Sequence, residues 1–252
     1  MSQLAQAKMP IRVECTQCPL APLEHFRPFS EHELEFMLSF KIGEFTAEAG
    51  VNILKEQTNS AHLFTVLEGW AFRYKTLEDG SRQVLNFALP GDLLGLQTSM
   101  FGEMDHSVDA LTSITLCVFA RDRFWELYQE FPSLAFDVTW LATHDERTLG
   151  QFLAAVGQRS ARSRLAFALL QLYRRCEAIE LASANRMRVP FTQQHIADLL
   201  GLSLVHTNKT IKRLADDKLL SWRKGVIQIL DRNRLIELAE FDNSPASIRP
   251  FI

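Results

Sequence analysis

The chain is short of cysteine, with four in 252 residues, and in the reducing cytoplasm expected from the opening segment these are not expected to form a disulfide framework. It has no apolar run approaching the roughly 20 residues that cross a bilayer, so no membrane partner is expected. The opening stretch Met1-Ser-Gln-Leu-Ala-Gln-Ala-Lys8 lacks the apolar centre of a signal peptide, and the expected location is a reducing cytoplasm. Also missing are a Gly-rich phosphate loop, a His-x-x-x-His pair and a nucleophile elbow, so the seven histidines and many carboxylates form no recognisable catalytic constellation. A non-enzyme is expected. A strong excess of one charge is absent too: the net charge is −3 at pH 7.

That modest balance is unevenly distributed. Residues 186–234 carry ten Lys or Arg against four Asp or Glu, a local +6 that leaves −9 on the remainder. A basic module on an acidic body concentrates a phosphate-attracting field in one place. Within it, Phe191-Thr-Gln-Gln-His-Ile-Ala-Asp-Leu-Leu-Gly-Leu-Ser-Leu-Val-His-Thr-Asn-Lys-Thr-Ile-Lys-Arg213 predicts a helix, a three-residue turn at Gly201 and a second helix. Ile196, Leu199, Leu200, Leu202, Ile211 and Leu214 supply the packing stripe. Ser203 is placed to cap a second helix that starts at Leu204 and projects Val205, His206, Asn208 and Lys209 from its first turns, as a major-groove reader requires. Leu219 to Leu230 alternates around Lys224-Gly225 and predicts a hairpin wing with Arg223 and Lys224 at its tip. The candidate DNA contacts are Thr192, Gln193, Ser203, Val205, His206, Asn208, Lys209, Lys212, Arg213, Arg223 and Lys224, and the expected partner is double-stranded DNA.

Upstream, residues 1–30 form an arm around Cys15 and Cys18, and Ser30 with Glu33 predicts a capping box opening a short helix. From Lys41 to about Phe124 the texture is short alternating runs at Ala61 to Leu67, Trp70 to Thr76, Gln83 to Ala88 and Thr115 to Ala120, with turns at Glu78-Asp79-Gly80 and Pro90-Gly91-Asp92. This spacing predicts a sandwich or jelly-roll barrel, with Arg73, Tyr74 and Arg82 on its surface. A long helix then runs from Pro132 to about Gly157, with Leu134, Val138, Leu141, Asp145, Leu149, Phe152 and Val156 as an apolar seam for a second copy. Asp145 would set like charges face to face and make the dimer tunable. A helix from Arg159 through Leu172 leads to a polar linker, Ala182 to Arg188, before the basic module. The fold class is therefore α+β. Its parts are an arm (1–30), a β-barrel domain (31–130), a dimerisation helix (131–158) and a winged helix-turn-helix (159–252).

Barrel, dimer helix and winged helix-turn-helix in this order resemble the Crp/Fnr family of bacterial transcription regulators over nearly the whole chain. The resemblance is carried by Leu89-Pro-Gly-Asp-Leu-Leu-Gly-Leu96 and Thr192-Gln-Gln-His-Ile-Ala-Asp-Leu-Leu-Gly-Leu-Ser203. It implies a cyclic-nucleotide-binding-like sensor domain, a homodimer on a palindromic promoter site, and RNA polymerase as a partner. The cyclic-AMP-binding branch carries a glutamate for ribose and an Arg-Ser pair for phosphate. Here Gln97 and His106-Ser107 stand near those positions, so the bidentate cation is missing and cyclic AMP is not the expected effector.

The Fnr-like branch holds an oxygen-labile iron–sulfur cluster on cysteines. Cys15-Thr-Gln-Cys18 and Cys117 match three of its four ligand positions; the fourth falls at Glu24, beside His25. A cluster completed by His25, a three-cysteine cluster and no cluster stay open, as do a half zinc site and a redox dithiol. Cys176 has no matching ligand position and is expected to pack. The branch's DNA-reading Glu and Arg are replaced by Val205 and Lys209, with Asn208 between them, which implies a different recognition sequence. Two other readings remain: a small organic effector among Trp70, Phe72, Phe87 and Leu96, and an effector-independent regulator.

Overall fold

The computed structural model describes residues 13–244 and 247–252. Contacts divide the chain into two units, one comprising 1–75, 87–144 and 248–252, the other 76–86 and 145–247. These units do not follow sequence order, because a hairpin tip, half of the long helix and the trailing segment each pack away from their chain neighbours.

In the first unit, α1 (Glu31–Phe40) starts on the expected capping box: the Glu33 N–H donates to Ser30 Oγ at 3.3 Å, and the Ser30 N–H donates to the Glu33 carboxylate at 2.7 Å. There follow β1 (Lys41–Ala47), β2 (Asn52–Leu54), β3 (His62–Glu68), β4 (Ala71–Thr76), β5 (Arg82–Ala88), β6 (Leu93–Leu94), α2 (Leu96–Phe101), β7 (Ser107–Ala110), β8 (Ile114–Ala120) and α3 (Phe124–Glu130). They pair as two antiparallel four-stranded sheets, β1-β8-β3-β6 and β2-β7-β4-β5. Among the described residues no ladder joins them, so the expected barrel is an unclosed, jelly-roll-like pair of sheets. Alternation within a strand shows which residues point inward, whereas closure depends on pairings distant in sequence.

Between the sheets, Leu54, Phe64, Val66, Met104, Val108, Leu116 and Val118 form the core. A second apolar layer covers the other face of β8, where Phe119 stacks on Phe40 at 5.1 Å and Phe36 stacks on Phe131 at 4.2 Å. With both faces covered, β8 reads as a continuous apolar run. Trp70, Phe72 and Phe87 are buried and Leu96 half-buried.

Arg73 and Tyr74 correct the surface expectation. Arg73 lies opposite Val108 and therefore shares its inward face; it is half-buried and donates to the Leu93 carbonyl at 2.8 Å. Tyr74, also half-buried, stacks on Phe72 and donates to Asp109 at 3.3 Å. Arg82 is exposed.

The long helix α4 (Pro132–Gln158) contributes its first half to the first unit and its second half to the other. In the second unit, α5 (Ala161–Ala178) outruns the expected end at Leu172, because Tyr173 and Cys176 continue its buried stripe. The expected linker is β9 (Ala182–Ser183) and β10 (Arg186–Arg188), strands too short to carry a periodic signal. Then come α6 (Gln193–Leu200), α7 (Leu204–Asp216), β11 (Leu220–Arg223), β12 (Val226–Ile229) and α8 (Arg232–Ala239). The wing is thus a four-stranded sheet, β11-β12-β10-β9.

Candidate functional site

The helix-turn-helix is built by its caps. Thr192 caps α6 with His195 as its reciprocal partner, Thr192 N–H donating to His195 Nδ1 at 3.2 Å. Burial, reinforced by Arg82, lowers the His195 pKa and keeps that acceptor nitrogen neutral. Gly201 supplies the left-handed turn at φ +60°, and Ser203 Oγ accepts from the His206 N–H at 3.2 Å to begin α7. Thr207, Thr210, Ile211 and Leu214 are buried, which leaves Val205, His206, Asn208, Lys209, Lys212 and Arg213 together on the exposed face. Lys224 and Gly225, at φ +49° and +71°, form the two-residue wing turn that displays Arg223 and Lys224.

A groove of about 570 Å³ collects Pro190, Thr192, Gln193, Asn208, Trp222 and Lys224 from three elements. Arg186 and Arg188 add exposed cations on β10; concealed in the apparent linker, their only sequence signal was charge. Arg82, whose hairpin is anchored to α6 by Gln83 Nε2 donating to the Asp198 carbonyl at 2.7 Å, lies within electrostatic reach of His195. No local sequence signal could have placed it there.

Cys15, Cys18 and Cys117 belong to the first unit. Cys15 begins a 3-10 turn, Cys15–Gln17, and the Cys18 N–H donates back to the Cys15 carbonyl at 3.3 Å. Cys117 sits on β8 opposite both Glu44 and Thr65, sharing their face. Burial pushes its thiol up to about 12 against the pull of Lys41, and both Cys15 and Cys18 lie within electrostatic reach of it. Beside them Lys41 Nζ donates to Glu44 and to the Val13 carbonyl, each at 2.6 Å, pinning the arm to β1.

Thiols from two distant segments, the arm and β8, thus lie within electrostatic reach of one another. In donor type they suit an iron–sulfur cluster, although among the described residues no three His, Cys, Asp or Glu side chains stand as a formed metal-binding group. His25 packs edge-on against Phe26, and its carbonyl accepts from the Arg249 N–H. Cys176 is fully buried on α5, apart from this group. Ser107 Oγ accepts from the Glu56 N–H at 3.0 Å, and both His106 and Ser107 are buried.

The seam on α4 differs from expectation. Leu134, Val138 and Leu141 are buried within their own chain at 0%, 1% and 6% exposure. Phe152 meets Phe167 edge-on at 5.3 Å, Val156 is half-buried near Gly201, and Asp145 is half-buried. Of the expected set only Leu149 is outward-facing, at 45% exposure. The outward stripe is Thr139, Ala142, Glu146, Leu149 and Leu153, in alternating steps of three and four. Both stripes share one period, so periodicity identified the helix without choosing its outward side.

A jelly-roll-like domain, a long helix and a winged helix-turn-helix displaying a cationic face define a DNA-binding transcription regulator with an N-terminal sensor-type domain. The Crp-like helix-turn-helix domain matches residues 163–238 and the cyclic nucleotide-binding domain matches residues 44–131. The nitrogen fixation regulation protein FixK of Bradyrhizobium diazoefficiens is 34% identical over 191 residues, 76% of this chain and 79% of the relative. The transcriptional activator protein FnrL of Cereibacter sphaeroides is 25% identical over 233 residues, 91% and 93% of the two chains. The structure of FixK2 from Bradyrhizobium japonicum aligns with a TM-score of 0.71 at 25% identity, covering 80% of this chain and 98% of that one. The chain belongs to the Crp/Fnr family, on its Fnr-like side.

Proposed function

We propose that the protein is a homodimeric, sequence-specific regulator that reads a palindromic promoter site with RNA polymerase as its partner, and senses oxygen or redox state through an iron–sulfur cluster on Cys15, Cys18 and Cys117. The observation that supports the sensing half is that Cys15 and Cys18 of the arm lie within electrostatic reach of Cys117 on β8. Such a cluster, when bound, supplies an oxygen-labile centre. His25 is the candidate for a fourth ligand, and cyclic AMP is not the effector because His106-Ser107 provides no bidentate cation.

The chain's own residues supply a relay. Arg27, on the same arm as the cysteine turn, donates to Glu33 of α1 at 3.0 and 3.1 Å and to Asp137 of α4 at 2.9 Å. Ser133 of α4 donates to Glu33 at 2.6 Å. Glu33 and Asp137 are buried, so a displaced arm cannot abandon them without leaving uncompensated charge, and α4 must move with it. On α4, exposed Glu146 rather than half-buried Asp145 places like charges on the outward stripe of both copies.

For DNA, Val205 suits a thymine methyl, Asn208 adenine and Lys209 guanine. Thr192, Gln193, Arg223 and Lys224 suit phosphates, with His206, Lys212 and Arg213 flanking the reading face. The deciding experiment is an absorbance spectrum of protein purified without oxygen, repeated after air exposure, with iron and sulfide assayed on the same sample. Visible absorbance that bleaches in air, with both elements present and weakened DNA binding in Cys117→Ala, is the expected result. A colourless, iron-free protein binding DNA equally with and without air overturns the redox reading.

A further inference from the structure

After α8 the chain returns to the first unit, and its segment Ile248–Ile252 packs there. The attachment is specific. The Arg27 N–H donates to the Arg249 carbonyl and the Arg249 N–H to the His25 carbonyl, each at 2.9 Å, so Arg249 bridges in parallel to Phe26 on the arm. The Arg249 side chain reaches the Pro90-Gly91-Asp92 turn: Nη1 donates to Asp92 at 3.0 Å and Nη2 to the Gly91 carbonyl at 3.1 Å, with the guanidinium 5.6 Å from the Phe26 ring centre.

Phe251 then packs on Phe26 at 5.0 Å and Phe29 at 4.9 Å. Thr65 Oγ1 donates to the carbonyl of Ile252. Phe251 and Ile252 are 5% and 3% exposed, a depth of burial matching the main core. Thr65 lies directly opposite Cys117 in the β3–β8 ladder, so the segment ends beside the cysteine that the arm also approaches.

We propose that residues 247–252 are a strap, in which Arg249 is the latch and Phe251 and Ile252 are the anchor, holding the arm against β3 and β8 and covering Cys117. Two features make it releasable. Its attachment is short, an apolar anchor with one ion pair and four hydrogen bonds, and Arg249 Nε is buried with no hydrogen-bond partner, so the docked state carries an uncompensated desolvation cost. Because the strap continues from the DNA-reading half of the chain and ends at the cysteine face, its release frees the arm and uncovers Cys117. The inference holds whether or not a cluster is bound.

The test is the rate of N-ethylmaleimide labelling at each cysteine of the full-length protein, prepared free of iron by chelator under reducing conditions and followed by peptide mass mapping. Three variants are compared with the parent: Arg249→Ala, Phe251→Ala and deletion of residues 247–252. Labelling of Cys117 is expected to rise at least tenfold in the deletion and severalfold in each substitution, with fully buried Cys176 unchanged. A Cys117 rate within twofold of the parent overturns the proposal, and so does a parallel rise at Cys176, which reports general loosening. A colourless protein in the spectroscopic experiment leaves this result intact, so the two readings fail separately.

Discussion

Val205 and Lys209 stand where the family's familiar branches place Glu and Arg, and each change has a separate consequence for DNA. Val205 cannot accept from cytosine, so sites selected from a random pool should differ from the half-site those branches read; enrichment of that half-site would refute the assignment. Lys209→Ala should weaken the selected site by about 1–3 kcal/mol and relax preference at one position, whereas Arg223→Ala should weaken all sequences and lower the salt slope by about 1. Both follow from binding isotherms at several salt concentrations. Glu33 gives a pH prediction. Burial alone would raise its carboxyl, but bonds from Arg27, Ser133 and Ser30 prevail and hold it at about 2. Its stabilising contribution is present above the ordinary value of 4.5 and is lost as pH falls from there toward 2. Glu33→Gln should therefore be less stable than the parent at pH 7 in urea denaturation and lose less stability between pH 5 and 3. Asp137, raised by burial despite Arg27, works in the opposite direction and flattens the parent's response. The caps at Ser30 and Ser203 were legible because each partner lies three residues away. Arg27–Asp137, 110 residues apart, had no local signature.

Among the elements, α4 offers the cleanest separation of folding from assembly. Leu141, buried in its own chain, and Leu153, 74% exposed, lie on opposite stripes. Leu141→Ala should cost about 2–5 kcal/mol of folding stability, as core truncations do, with little change in the association state of the folded protein. If the proposed homodimer forms on the outward stripe, Leu153→Arg should leave the melting temperature of the isolated chain nearly unchanged and shift that dimer toward monomer in sedimentation equilibrium. An unchanged dimer constant would remove the outward stripe from the interface. The wing hairpin and both helices of the DNA reader were legible at the level of elements, since turn chemistry and apolar period agreed there. The strands β9 and β10 were not, because two or three residues bear no period and only pairing with β12 makes them a sheet.

For the whole molecule, charge and order were informative from the sequence. A basic module of +6 behind an acidic remainder, together with the helix-turn-helix pattern and the order of strand-rich region, long helix and DNA module, pointed to the class of protein. Local chemistry also determined the caps, the wing turn and the exposed face of α7, because their partners lie within a few residues. Tertiary structure alone decided that the sheets stay unclosed, that α4 turns Leu134, Val138 and Leu141 inward, that Cys117 lies within electrostatic reach of Cys15 and Cys18, and that Arg249 of the trailing segment pairs with Asp92. These outcomes depend on contacts among residues tens to hundreds of positions apart. Such contacts are selected by which apolar faces bury one another, and a one-dimensional pattern records only that the faces exist.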